Sequence, residues 1–135
     1  MQKIRGVTLI EVMITVVIVG ILSAIAIPSY TSYVIDSRRS EAKSALLELG
    51  QFMERHYTAN GSYQVGGATM SVADLPFASV PKDGGTAYYN VAVVSSSATY
   101  TLTLTPTGVM AGDSCGNYTL NQTGVHTPAA DSACW

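Results

Sequence analysis

Charge is scarce in this 135-residue chain: Asp, Glu, Lys and Arg together make up 12% of it, and a single basic residue, Lys82, follows Arg55. A protein that grips phosphate backbones needs Lys and Arg in a patch, because each neutralised phosphate releases counterions. Nucleic acid is therefore an unexpected partner. Metal ligands are equally thin. Cys115 and Cys134, with His126 between them, lack a fourth ligand and the tight spacing of zinc sites. His56 and His126 lie far apart in sequence, with no Ser, Asp or Cys nearby in the character of a nucleophile or orienting acid. No catalytic residue, metal or cofactor is expected. The length allows one compact head and little more.

What the chain does have is one long apolar run. The charged stub Lys3-Ile4-Arg5-Gly6 precedes Val7 to Ile27, and Glu11 is the only charge inside the run. At a helical rise of about 1.5 Å per residue the run reaches roughly 32 Å, close to the hydrocarbon thickness of a bilayer. A secretory signal would carry an Ala-x-Ala-like site after its apolar stretch. Here the small residue, Gly6, stands before it. An acid in hydrocarbon costs on the order of 2.5 to 3.5 kcal/mol, so Glu11 calls for a partner. Cutting after Gly6 would give Val7 an α-ammonium group one helical turn away. Two offset chains could then pair Glu11 of one with the Val7 amine of the other, fixing the register of a helical bundle.

The segment Gly6-Val7-Thr8-Leu9-Ile10-Glu11 resembles the leader motif of the type IV pilin and pseudopilin family, with Val7 in place of the usual Phe. The resemblance implies cleavage between Gly6 and Val7 by prepilin peptidase and N-methylation of Val7. It also implies that Glu11 aids assembly by meeting a neighbouring subunit's terminus. Losing residues 1–6 removes Lys3 and Arg5, leaving five basic against nine acidic side chains, or −4.

Helical character continues beyond Pro28 as an amphipathic pattern. Ala42, Ala45, Leu46, Leu49, Phe52, Met53 and Tyr57 recur at three- and four-residue steps, predicting a stripe that packs on the head. Gly20 and Pro28 mark the expected helix break. Pilins commonly carry such residues, and the segment between them is thought to unwind in filaments; a simple kink in a continuous helix is the alternative. The pair Arg38-Arg39 reads as a solvated or inter-subunit face just above the membrane. Asn60-Gly61 has the chemistry of a helix end, predicting a helix to about residue 59. The phrase Glu54 to Tyr63 resembles the helix-to-loop junction of PilE-type minor pilins.

Residues 61–87 form a Gly- and Pro-punctuated loop. Beyond it, Tyr88 to Val94, Ala98 to Thr105 and Asn117 to Gln122 carry strand signals, with Tyr100, Leu102 and Leu104 facing one way and their Thr neighbours the other. Short connections make the pairing antiparallel. Cys115 and Cys134, an even pair in an exported chain, read as a disulfide closing a loop of about 20 residues and contributing about 3 kcal/mol. In pilins a disulfide here encloses the D-region. Trp135 is placed to cover the edge of the core. The matches to a glycosylation acceptor pattern at Asn60, Asn117 and Asn121 read as turn and strand residues.

The expected fold is thus α+β, a long N-terminal α-helix packed on a 3–4-stranded antiparallel sheet with a C-terminal disulfide loop, the ladle fold of type IV pilins. Its parts are a leader (1–6), a membrane or filament-core helix (7–28) and a periplasmic or extracellular head (29–135) with its sheet and disulfide loop in 88–135. The resemblance implies a structural subunit of a type IV pilus, not an enzyme. A PilE-like minor pilin, incorporated in the filament or priming its assembly, is favoured. Alternatives are a major pilin, a type II secretion pseudopilin or a DNA-binding minor pilin for transformation. Implied partners are other pilin subunits, prepilin peptidase, the inner-membrane assembly platform and, before assembly, the membrane. The location is the bacterial inner membrane as a single-pass precursor, then the extracellular pilus.

Overall fold

The computed structural model describes residues 6–128 and 134–135; most of the leader, residues 1–5, lies outside the described residues. A single helix, α1 (Leu9–Asn60), runs through two compact units, Met1–Asp36 and Ser37–Trp135.

In the first unit the helix begins with a cap. Thr8 Oγ1 accepts the Glu11 amide at 3.3 Å, giving one of the orphan N–H groups of the first turn a partner, and Glu11 lies where an acid suits the helix dipole. The apolar side chains that follow are exposed on every side, from Val7 through Ile27, and the stretch is long and apolar enough to cross a membrane. Gly20 and Pro28 lie inside the helix, which continues through both. Local hydroxyls bond back to the helix in this region. Ser29 Oγ donates to the Ile25 carbonyl at 3.1 Å, and Thr31 Oγ1 reaches the Ile27 and Pro28 carbonyls at 3.0 and 2.9 Å.

The second unit takes the other half of α1 and packs it on a sheet. Ala42, Ala45, Leu46, Leu49, Gly50 and Met53 form its buried face. They meet the inward residues of a meander in which sequence neighbours pair antiparallel throughout. Its strands are β3 (Ser79–Val80), β4 (Tyr89–Ser95), β5 (Tyr100–Pro106), β6 (Tyr118–Asn121) and β7 (His126–Thr127). The central pair β4–β5 holds seven residue pairs from Tyr89↔Pro106 to Ser95↔Tyr100. Strand alternation sends Tyr89, Val91, Leu102, Leu104, Tyr118 and Leu120 into the core. Five strands replace the expected three to four because two-residue edges, β3 and β7, extend the sheet on either side. The connection 61–87 is also more ordered than a plain loop. It holds a small hairpin, β1 (Gln64–Val65) with β2 (Ala68–Thr69), and a 3₁₀ turn at Val72–Asp74. Helix α1 closes as its sequence implies: Gly61 takes φ +69° and its amide bonds the Tyr57 carbonyl at 2.7 Å.

Candidate functional site

Gly6 and Val7 precede the first helical residue and are exposed, so the peptide bond between them lies on open, non-helical chain. Glu11 follows in the first turn, also exposed, and has no cationic partner among the described residues. Thr8 caps the helix, a role that the apolar run around it conceals. The spacing Thr-x-x-Glu, a capping-box signature, was the signal for it. Together, Gly6, Val7, Thr8 and Glu11 fall within about two helical turns at the tip of an apolar rod. The chemistry on offer there is recognition and pairing.

The head is fixed by two long-range ties. Cys115 and Cys134 are joined, with Cα atoms 5.6 Å apart, as expected from their count. Arg39 forms an ion pair with Asp113, its Nε lying 3.1 Å from both carboxylate oxygens, and its Nη2 also reaches Ser114 Oγ at 3.2 Å. The side chains are 15% and 4% exposed, so this pair is desolvated. The solvated face expected of Arg38-Arg39 does not hold for Arg39. Arg39 is held in the head, and Arg38 sits over the Tyr88 ring, 5.5 Å from its centre. A second pair, Lys82 with Glu48 at 2.6 Å, is solvent-exposed; the bond to Glu48 raises the Lys82 pKa.

Both histidines have structural tasks. His56 Nε2 lies 3.1 Å from the Gln64 carbonyl, and Asn60 Nδ2 donates to the His56 carbonyl at 2.9 Å, joining helix end to hairpin. His126 stacks on Trp135 with centroids 4.2 Å apart, and Trp135 packs in turn on Tyr118. Asn121 Oδ1 accepts from the Thr123 and Val125 amides at 3.0 and 2.9 Å, a turn role. Burial raises the phenol pKa of Tyr89 and Tyr100. An open groove of about 570 Å³ runs between α1 and β6, floored by Gly50, Tyr100 and Leu120. Among the described residues, no three of His, Cys, Asp and Glu are grouped to hold a metal ion.

Comparison with known proteins places this geometry. The sequence model described as "Type IV minor pilin ComP, DNA uptake sequence receptor" matches residues 28–119, and the prokaryotic N-terminal methylation motif matches residues 1–27. The fimbrial protein EcpC of Eikenella corrodens is 36% identical over 111 residues, covering 80% of this chain and 67% of EcpC. A type IV major pilin protein PilE1 of Neisseria gonorrhoeae is 39% identical over 74 residues, 53% of this chain and 44% of PilE1, so the chain spans under half of that relative. Among solved structures, a type IV pilin from Shewanella oneidensis aligns with TM-score 0.55 and 28% identity, covering 74% of this chain and 96% of that one. The minor pilin PilV of Neisseria meningitidis shares the fold with TM-score 0.52 at 24% identity, over 70% and 86% of the two chains. With the methylation motif on its apolar helix, the ComP-type match over most of the rest and a disulfide-closed head, the chain belongs to the type IV pilin family.

Proposed function

We propose that the chain is a structural subunit of a type IV pilus, a minor pilin made as a single-pass inner-membrane precursor and built into an extracellular filament. Prepilin peptidase cuts between Gly6 and Val7, Val7 is N-methylated, and the assembly platform moves the subunit from lipid to filament. Adhesion, twitching motility and DNA uptake are the filament activities such a subunit serves. The observation that carries this reading is the helix from Leu9 to Ile27, apolar on all its faces, which buries nothing within its own chain. Exchanging lipid for neighbouring helices gains little apolar free energy, so packing and the pairing of Glu11 with a neighbour's amine decide register. Gly20 and Pro28 supply the place where the helix loosens on assembly. The head, tied by Cys115–Cys134, forms the outer wall.

Glu11→Val tests the pairing. The variant is expected to insert in the inner membrane at the normal level and to be strongly depleted from sheared filaments; a normal share there removes the pairing role. Mass spectrometry of finished filaments tests processing, since retention of the first six residues would be incompatible with it. Counting this chain against other subunits in the same filaments separates minor from major pilin. The disulfide argues against a type II secretion pseudopilin, in which such a bridge is usually absent.

The match to the ComP family favours a second reading, a DNA receptor. Electrostatics stand against it: of the five Lys and Arg residues beyond Asp36, Arg39 and Lys82 are committed to Asp113 and Glu48. Binding through phosphates would show as a steep fall of affinity with salt. A gel-shift series with the purified subunit is expected to show no retention even at low salt; salt-sensitive retention would establish the second reading.

A further inference from the structure

The charge-free part of α1 is longer than the layer it has to cross. No charge stands between Glu11 and Asp36, and at about 1.5 Å per residue these two lie roughly 37 Å apart along the axis. The hydrocarbon of a bilayer is about 30 Å thick. Charge alone thus leaves the helix more than one turn of slack, and another feature has to fix its depth.

Two side chains in this stretch are suited to that task. Tyr30 and Tyr33 are 69% and 74% exposed. Each of the other six tyrosines packs on a neighbouring ring, whereas these two touch no ring among the described residues. Three residues apart, they share one side of the helix, and they come just after the apolar run ends at Ile27. A phenol joins an apolar ring to a wet hydroxyl, so it settles in the headgroup layer in preference to hydrocarbon or water.

That layer adds only about 5 to 7 Å on each side of the bilayer. Both rings fit within it when Tyr30 lies at the hydrocarbon boundary and Tyr33 stands about 4.5 Å beyond. Glu11 then falls about 28 Å from Tyr30, close to the opposite boundary. Centring the apolar run Val7 to Ile27 in the bilayer would instead sink Glu11 roughly 6 Å into hydrocarbon.

We propose that Tyr30 and Tyr33 are a membrane-depth anchor, binding the lipid headgroup layer on the side away from Lys3 and Arg5, which favour the cytoplasmic side. The inference rests on the membrane-held precursor proposed above. Anchored there, the helix holds Glu11 and the Gly6–Val7 bond at the water boundary of the other leaflet, where a peptidase can reach the bond. The carboxylate stays solvated in the precursor and loses its water only when the subunit leaves lipid for a neighbour's amine. Without the two rings the helix slides by up to about one turn and draws both groups toward hydrocarbon.

Reporter thiols read that depth. The full chain carrying Ile10→Cys or Ile14→Cys is placed in vesicles of phosphatidylethanolamine and phosphatidylglycerol, with a water-soluble maleimide admitted to both sides. Cys115 and Cys134 are joined and do not react. Ile10→Cys is expected to label readily and Ile14→Cys, one turn deeper, poorly. Adding Tyr30→Ala and Tyr33→Ala should cut the labelling of Ile10→Cys several-fold, whereas Tyr30→Trp with Tyr33→Trp should keep it. An unlabelled Ile10→Cys beside intact tyrosines, or labelling unchanged by the two alanines, would overturn the anchor. Unchanged labelling with loss from filaments would assign the rings to a neighbouring subunit. Release of the chain from vesicles by alkaline carbonate would remove the membrane-held precursor itself, so the two failures are read separately.

Discussion

The two halves of α1 share one backbone and live by different rules. From Leu9 to Asp36 the helix has apolar side chains on every face and buries none of the large ones; from Ser37 to Asn60 it is amphipathic and buries one stripe against the sheet. Amphipathicity records a partner inside the chain, whereas uniform apolarity records a partner outside it. The first half is thus fitted to a lipid or protein environment, and the second is a component of the head's own core. Their failures should separate in the same way.

The sharpest way to break that comparison is to make one truncation in each half. Leu46→Ala removes a fully buried side chain and is expected to cost the head about 2 to 5 kcal/mol. Leu22→Ala removes the same atoms from an exposed site in the first half and should leave head stability unchanged. Denaturant unfolding of the full chain in detergent, followed by Trp135 fluorescence, compares the two. Equal losses would show that the halves share one cooperative core.

A smaller effect tests how tightly the second half is seated. Gly50 is buried where α1 crosses β6, and a Cβ there would come within 2.7 Å of Leu120 Cδ2. Overpacking costs about 1 to 3 kcal/mol, while replacing Gly by Ala in a helix returns about 0.5 to 1 kcal/mol. The opposing atom is the tip of a flexible side chain, and the groove floored by Leu120 gives it somewhere to turn. Gly50→Ala is therefore expected to change stability by less than about 1 kcal/mol. A larger loss, relieved when Leu120→Ala is added, would show that Leu120 is pinned and the seat rigid.

Much of this division was legible in the sequence because periodicity reports burial. The stripe Ala42, Ala45, Leu46, Leu49 and Met53 is buried as its spacing implies, and Tyr100, Leu102 and Leu104 face inward with Thr101 and Thr105 outward. Tyr57 extends the same spacing but lies past the sheet, so it stays exposed while stacking on Tyr63. Strands β3 and β7 were not legible, since two residues are too few to alternate and their pairing is dictated by the neighbouring strand. Arg39 with Asp113 was hidden for another reason: 74 residues separate them, and no local pattern joins such a pair. At the N-terminus Glu11 was legible as a charge out of place, while its cap, Thr8, was overshadowed by the apolar run around it.

The finest distinction falls in the connection that leaves α1 for the sheet. Asp74 accepts the Ser71 amide at 2.8 Å and the Ser71 hydroxyl at 2.6 Å, closing the 3₁₀ turn. The Ser71 hydroxyl, followed by its amide, holds the Asp74 carboxyl below its ordinary value. A depressed carboxyl stabilises the turn above the unfolded-state pKa of about 3.9, and that contribution disappears as pH falls through the lower folded value. Acid should therefore loosen residues 71–75 while the packed half of α1 keeps its core. An NMR titration below about pH 4 is expected to shift the Ser71 and Asp74 amides before Leu46 or Leu102 respond. Asp74→Asn should show the loosened turn already at neutral pH. Simultaneous loss of the turn and the core signals would tie this segment to the head's cooperative unit and move the boundary between local and global stability outward from the helix–sheet contact.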